Sequence, residues 1–117
     1  MSKANITLNV RQTKPDTSVI DIQGEINAFA ENVLMDAYTQ ATSNGARNIL
    51  LNFEKLDYMN SSGIGLLVTL LIRAQRQKQR LIAFGLNEHY RQIFELTRLN
   101  EAITIYPGEE EALAMAV

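Results

Sequence analysis

The chain has 117 residues, 46% of them hydrophobic and 21% charged, with a formal net charge of −2 and no cysteine, which is the composition of one soluble globular domain able to form its core without staples. The lack of cysteine excludes disulfides and thiolate-held metals, and the slight negative balance removes the basic field with which a general nucleic-acid binder neutralises phosphates. The longest apolar stretch, Ile64 to Ile72, is interrupted by Gly65 and Thr69 and reaches about half of the roughly 20 residues that span a bilayer; with no apolar signal region in Met1 to Asn5, no membrane insertion and a cytoplasmic location are expected.

In chain order, Ile6, Leu8 and Val10 alternate with Thr7, Asn9 and Arg11, and beyond Lys14-Pro15-Asp16-Thr17 a second run carries Val19, Ile20 and Ile22. A period of two on both sides of a turn signal predicts a hairpin. Phe29, Val33, Leu34, Ala37, Tyr38 and Ala41 recur at helical spacing, opened by Asn27 as a cap and closed by Asn44-Gly45, so a helix is predicted over residues 28–44. Asn48 to Phe53 reads as a buried strand, the nearly all-apolar Ile64 to Ala74 as a buried helix within residues 62–77, and Leu81 to Phe84, ended by Gly85, as another strand. Asn87 caps a third helix with Tyr90, Ile93, Phe94 and Thr97 on its inner face. Ile103 to Tyr106 forms a last short strand, and Gly108-Glu109-Glu110-Glu111 opens a final helix with its acids where the dipole favours them. The sequence therefore predicts an α/β fold in a single domain over 1–117: a mixed β-sheet of about five strands with an N-terminal hairpin, and about four α-helices covering at least one face.

In sheets of this type the functional edge is the set of loops at the carboxyl ends of the parallel strands. The run Leu56-Asp57-Tyr58-Met59-Asn60-Ser61-Ser62-Gly63-Ile64-Gly65-Leu66 lies there and sets two serines at a helix mouth. A serine in that place can cap the helix by accepting one of its orphan N–H groups. The same geometry also suits a phosphate, which those N–H groups and the positive end of the dipole would hold. Both readings are open from the local pattern.

Catalytic equipment is sparse. His89 is the one histidine and reads as a solvated residue in a helix first turn. Ser61-Ser62-Gly63 lacks the Gly-x-Ser-x-Gly elbow of an acylating serine. Gly63-Ile64-Gly65-Leu66 lacks the third glycine of a dinucleotide fingerprint, and there is no Gly-x-x-x-x-Gly-Lys loop. Glu25, Glu54, Asp57 and Glu109 to Glu111 are spread without metal-ligand spacing, so no enzyme, metal or cofactor is expected. Arg73, Arg76, Lys78 and Arg80 crowd one helix end, where they suit the dipole and leave open a docking surface for an acidic partner. Gly65 inside a helix costs roughly 1 kcal/mol relative to alanine, and a close approach of another backbone is expected to be its reason.

The run Leu56 to Leu66 resembles the signature of STAS domains, the sulfate-transporter and anti-sigma-factor-antagonist family, whose antagonist members carry Asp-Ser-Ser-Gly or Asp-Ser-Thr-Gly in this setting. Gly24-Glu25-Ile26-Asn27 is similar to the family's Gly-Glu-Leu-Asp after the second strand, and the order of elements fits from Ile6 to about Met115. The resemblance implies a single STAS-like domain acting as a phosphorylation-switched protein-interaction module, an anti-sigma-factor antagonist that binds an anti-sigma-factor serine kinase when unphosphorylated. It implies Ser61 as phosphoacceptor with Ser62 second to it, and a partner-binding face made of Glu25, Asn27, Met59, Asn60, Ser62, Gly63 and Ile64. A cognate serine phosphatase would reset the switch. The sequence departs from the family pattern at two positions, Asn27 and Asn60, where the family carries aspartate. That departure supports a rival reading, a constitutive STAS-type scaffold that is not phosphorylated.

Overall fold

A computed structural model describes residues 5–43 and 45–116. Strands β1 (Ile6–Lys14) and β2 (Thr17–Ile26) pair antiparallel across Pro15-Asp16, forming the expected hairpin. β3 (Asn48–Met59), β4 (Arg80–Phe84) and β5 (Thr104–Tyr106) follow, each parallel to the strand before it, so the sheet order is β1-β2-β3-β4-β5. The crossovers are α1 (Glu31–Thr42), α2 (Ser61–Arg76) and α3 (Glu88–Leu96), and α4 (Glu109–Met115) follows β5.

Because each parallel strand is added beside its predecessor in one direction, right-handed crossovers must lie on one face of the sheet. The main core forms there: Ile20, Ile22, Ile49, Leu51 and Ala83 lie among Leu34 of α1, Leu67 and Leu70 of α2 and Phe94 of α3. The other face carries Val19, Leu50, Ile82 and Phe84, which are covered by Ala112 and Ala116 with part of Leu113. Residues on both faces of the inner strands are thus buried, which is why those strands read as apolar runs rather than alternations.

Three cations on two strands, β1 and β4, hold α4 in place. Arg11 donates to Asp21 (2.6 Å) and to Glu109 (2.8 Å), Lys14 Nζ donates to the Leu113 carbonyl (2.8 Å), and Arg80 donates to the Met115 carbonyl (3.0 Å). The predicted basic cluster is therefore divided, since Arg80 serves α4 while Arg73 and Arg76 close the last turn of α2.

Three predicted boundaries are corrected. The helix expected over 28–44 begins as a 3-10 turn, Ala28–Ala30, that Asn27 caps by accepting the Phe29 N–H (2.9 Å), and α1 proper starts at Glu31. The Asn44 half of the predicted stop lies outside the described residues. Gly24 to Ile26 belong to β2 rather than to a loop. Finally, β3 continues past Phe53 to Met59. In the register of β2 against β3, one extra β3 residue is accommodated between Asp21 and Gln23 and another between Gly24 and Glu25, and such bulges bend a strand and break its alternation. β4 pairs with β3 only as far as Asn52 opposite Phe84, so the last part of β3 pairs with β2 alone.

Candidate functional site

That extension of β3 delivers the serines. Asn60 is extended (φ −95°, ψ −176°) and its Oδ1 accepts the Gly63 N–H at 3.0 Å, so Asn60 is the N-cap of α2 and Ser61 and Ser62 are its first two residues. The capping role that the sequence allowed a serine belongs to the asparagine before it. Both serines are exposed, and neither hydroxyl is hydrogen-bonded among the described residues. The Ile64 amide bonds to the Asn60 carbonyl (3.0 Å), which leaves the first-turn amides of Ser61 and Ser62 as the open donors of the helix mouth. No acidic residue occupies the first turn of α2.

Three contacts fix the height of this mouth. The Asn60 N–H donates to the Ile26 carbonyl (3.3 Å). The Met59 N–H, which is buried, donates to the Tyr90 hydroxyl of α3 (2.8 Å). Gly63 packs against the Ile26 carbonyl oxygen, and a β-carbon there would also lie 2.8 Å from Met59 Cγ. The Gly24 to Asn27 segment thus lies beside the serines, as the resemblance suggested. Close backbone approach is the property of Gly63, whereas at Gly65 a β-carbon would meet nothing within 4 Å. The expectation for Gly65 is corrected accordingly.

The residues assigned to a partner-binding face divide into two groups. Met59, 4% exposed, and Gly63 are buried; they support the loop and cannot be presented to a partner. Asn27 and Asn60 spend their side-chain carbonyls as caps, while Glu25, half-buried, accepts from Asn5 (3.3 Å). Ser62 is exposed and Ile64 half-buried. Along α2 the outward line continues through Gly65, Val68 and Ile72, one turn apart and all exposed. Two aromatic side chains that sequence reasoning missed stand out of the same end of the molecule: Phe29, 57% exposed after the Asn27 cap, and Tyr58, 52% exposed two residues before Asn60. The helical period had placed Phe29 inside, but the 3-10 turn changes its phase.

The chemistry available here is that of a free hydroxyl offered outward. Among the described residues the strand order runs β1-β2-β3-β4-β5 without a reversal, so the serines do not lie at a topological switch point. Two surface cavities, of about 540 Å³ beside Arg91, Glu95 and Tyr106 and about 390 Å³ over Asn9, Asp21 and Asn52, are lined by other residues than the serines. His89 is exposed and touches the Tyr90 ring edge-on. Among the described residues no three His, Cys, Asp or Glu side chains gather to hold a metal, and no helix is long and apolar enough to cross a membrane.

A family model described as the STAS domain matches residues 9–112. The chain belongs to the STAS domain family. The anti-sigma-B factor antagonist of Staphylococcus aureus is 27% identical over 106 residues, covering 90% of this STAS domain and 98% of that protein. Among solved structures, an anti-sigma factor antagonist from Mycobacterium paratuberculosis superposes with a TM-score of 0.82 at 19% identity, covering 98% of each chain. The Bacillus cell fate determinant SpoIIAA in its phosphorylated form gives a TM-score of 0.72 at 25% identity, over 92% of this STAS domain and 97% of that chain. The five-stranded mixed sheet with four α-helices is therefore the SpoIIAA-like STAS fold.

Proposed function

We infer that this STAS domain is an anti-sigma-factor antagonist switched by phosphorylation of Ser61. The reading rests on one observation above all: Asn60 takes the cap, so the Ser61 hydroxyl has no structural duty and stands exposed at the mouth of a 16-residue helix. Support also comes from the relatives, which carry the name of antagonists, one of them solved in a phosphorylated form.

In the unmodified state the face made by Ser61, Ser62, Gly65 and Val68, flanked by Phe29 and Tyr58, docks an anti-sigma-factor serine kinase, with the two aromatics as anchors of the type that dominates interface energetics. In the transfer step Ser61 Oγ attacks the γ-phosphorus of ATP held by the kinase, ADP leaves, and the hydroxyl proton passes to a base. Asn60 is a neutral amide whose Oδ1 is already engaged, so that base belongs to the kinase. The phosphoryl group adds about −1.5 to −2 charges. Within the domain it meets open amides and a favourable dipole. In the interface it has to be desolvated against an apolar face, so docking is lost until a serine phosphatase restores the hydroxyl.

The test is labelling with the cognate kinase and ATP of wild type, Ser61→Ala and Ser62→Ala, followed by partner affinity and melting temperature of the modified form. Label should vanish only in Ser61→Ala. Affinity should fall at least about tenfold, about 1.4 kcal/mol, while the melting temperature stays nearly constant. Equal labelling of Ser61→Ala and wild type overturns the assignment. The scaffold reading has one observation in its favour, the amides of Asn27 and Asn60 where the family carries carboxylates; partner binding by a protein that no kinase labels would establish it.

A further inference from the structure

Past Asn52, β3 has no strand on its β4 side among the described residues, because β4 ends at Phe84 and the chain turns away at Gly85 (φ +81°). A strand's backbone groups alternate between its two neighbours. Since the Asn60 amide bonds to Ile26 of β2, the Met59 amide faces the side where a neighbour is missing. It is also buried, and a buried N–H without an acceptor is costly. The acceptor comes from another element, the Tyr90 hydroxyl at 2.8 Å. Tyr90 is itself only 4% exposed and its backbone is fixed by the Asn87 cap of α3 (3.0 Å).

We propose that Tyr90 is the positioning residue of the Ser61 loop: its hydroxyl replaces the missing strand at Met59 and so sets how the Ser61 hydroxyl is presented to the kinase. This rests on the reading of Ser61 as phosphoacceptor. Tyr90 touches neither the acceptor nor the phosphate and acts through the backbone of Met59 and Asn60. Without its hydroxyl the Met59 amide has to turn toward water, and that rotation is passed along the chain to Asn60, its cap on Gly63, and Ser61. Misplacement of a reacting group lowers the rate of the chemical step more than the affinity of encounter.

The variant Tyr90→Phe keeps the ring and deletes the oxygen. Phe94→Leu serves as control, since it loosens the same helix at its edge contact with Phe53 and leaves the Tyr90 bond intact. Amide hydrogen exchange should quicken at least about tenfold at Met59 and Gly63 in Tyr90→Phe, with Leu50 and Ile82 unchanged. For Ser61 labelling, kcat should fall about fivefold or more with KM within about twofold of wild type, and Phe94→Leu should retain its kcat. Unchanged Met59 exchange, a wild-type kcat in Tyr90→Phe, or an equal loss of kcat in both variants would each overturn the proposal. Should the wild type accept no label at all, the Ser61 reading fails by itself, and exchange at Met59 and Gly63 alone decides whether Tyr90 positions the loop.

Discussion

Gly63 sits so close to the carbonyl oxygen of Ile26 that a β-carbon on it would overlap that atom. The opposing group is backbone within β2, which cannot move without disturbing its pairing with β3 at Met59. Gly63→Ala should therefore destabilise the domain by about 1–3 kcal/mol, the range for overpacking, and push α2 outward. Urea unfolding measures the first effect, and the loss of Asn60 amide protection reports the second.

Gly65 predicts the opposite sign. Its surroundings are open, so Gly65→Ala should stabilise the helix by up to about 1 kcal/mol and raise the melting temperature by about 2–6 °C. It lies one turn beyond Ser61 on the outward line of α2, and a methyl group there should hold a docking partner off. A binding titration should show weaker affinity in a more stable protein; tighter or equal binding would place the partner elsewhere.

Acid should loosen the pair that Arg11 of β1 makes with Asp21 of β2. Burial raises the Asp21 carboxyl, but hydrogen bonds from Arg11, Asn52 and Asn9 outweigh it and hold the group below the usual carboxylate range. A carboxylate depressed in the folded state contributes stability above its unfolded value, near 3.9, and loses it as pH falls through the folded value. Asp21→Asn should accordingly lower the melting temperature at neutral pH and flatten its decline below about pH 4. Thermal melts across that interval compare the two proteins directly.

Asn60→Asp should leave the cap in place, because asparagine and aspartate serve nearly equally there, and should add a carboxylate next to the acceptor. Phosphorylation of Ser61 is then expected to accelerate, since a carboxylate can receive the hydroxyl proton and an amide cannot. The phosphorylated form should be shorter-lived because two negative charges become neighbours. Single-turnover labelling and release read both rates, and a rate for the aspartate variant at or below wild type would mean that the kinase supplies all the base it needs.

Periodicity in the sequence identified the hairpin, the alternating strands and helices, and the placement of the serines, because each element buries one consistent face. It ended β3 early, where two bulges interleave Glu54, Lys55 and Asp57 with Phe53, Leu56 and Met59 and erase the alternation. It also allowed the cap to a serine, where the structure gives it to Asn60. Asparagine and serine are both good N-caps, and only the backbone angles of Asn60 separate them. The two glycines exchanged roles for a similar reason: which glycine faces β2 depends on the phase of α2, and that phase is set by the cap. The helical period placed Tyr90 on an inner face, but the role of its hydroxyl carried no local signal. Its hydroxyl acts on a residue 31 positions away, at a vacancy that exists only because β4 is shorter than β3.

The clasp that joins Arg11 to Glu109 spans 98 positions of sequence, which has a consequence during synthesis. Translation proceeds at roughly 5–20 residues per second. The hairpin and the first crossovers can assemble from neighbouring segments as they emerge, yet Val19, Leu50 and Ile82 stay uncovered until α4 has been made. For several seconds the nascent chain offers a bare apolar strip on one side of an otherwise assembled sheet. Chaperone capture of nascent chains should therefore concentrate on that side, and chains halted before Glu109 should aggregate through it.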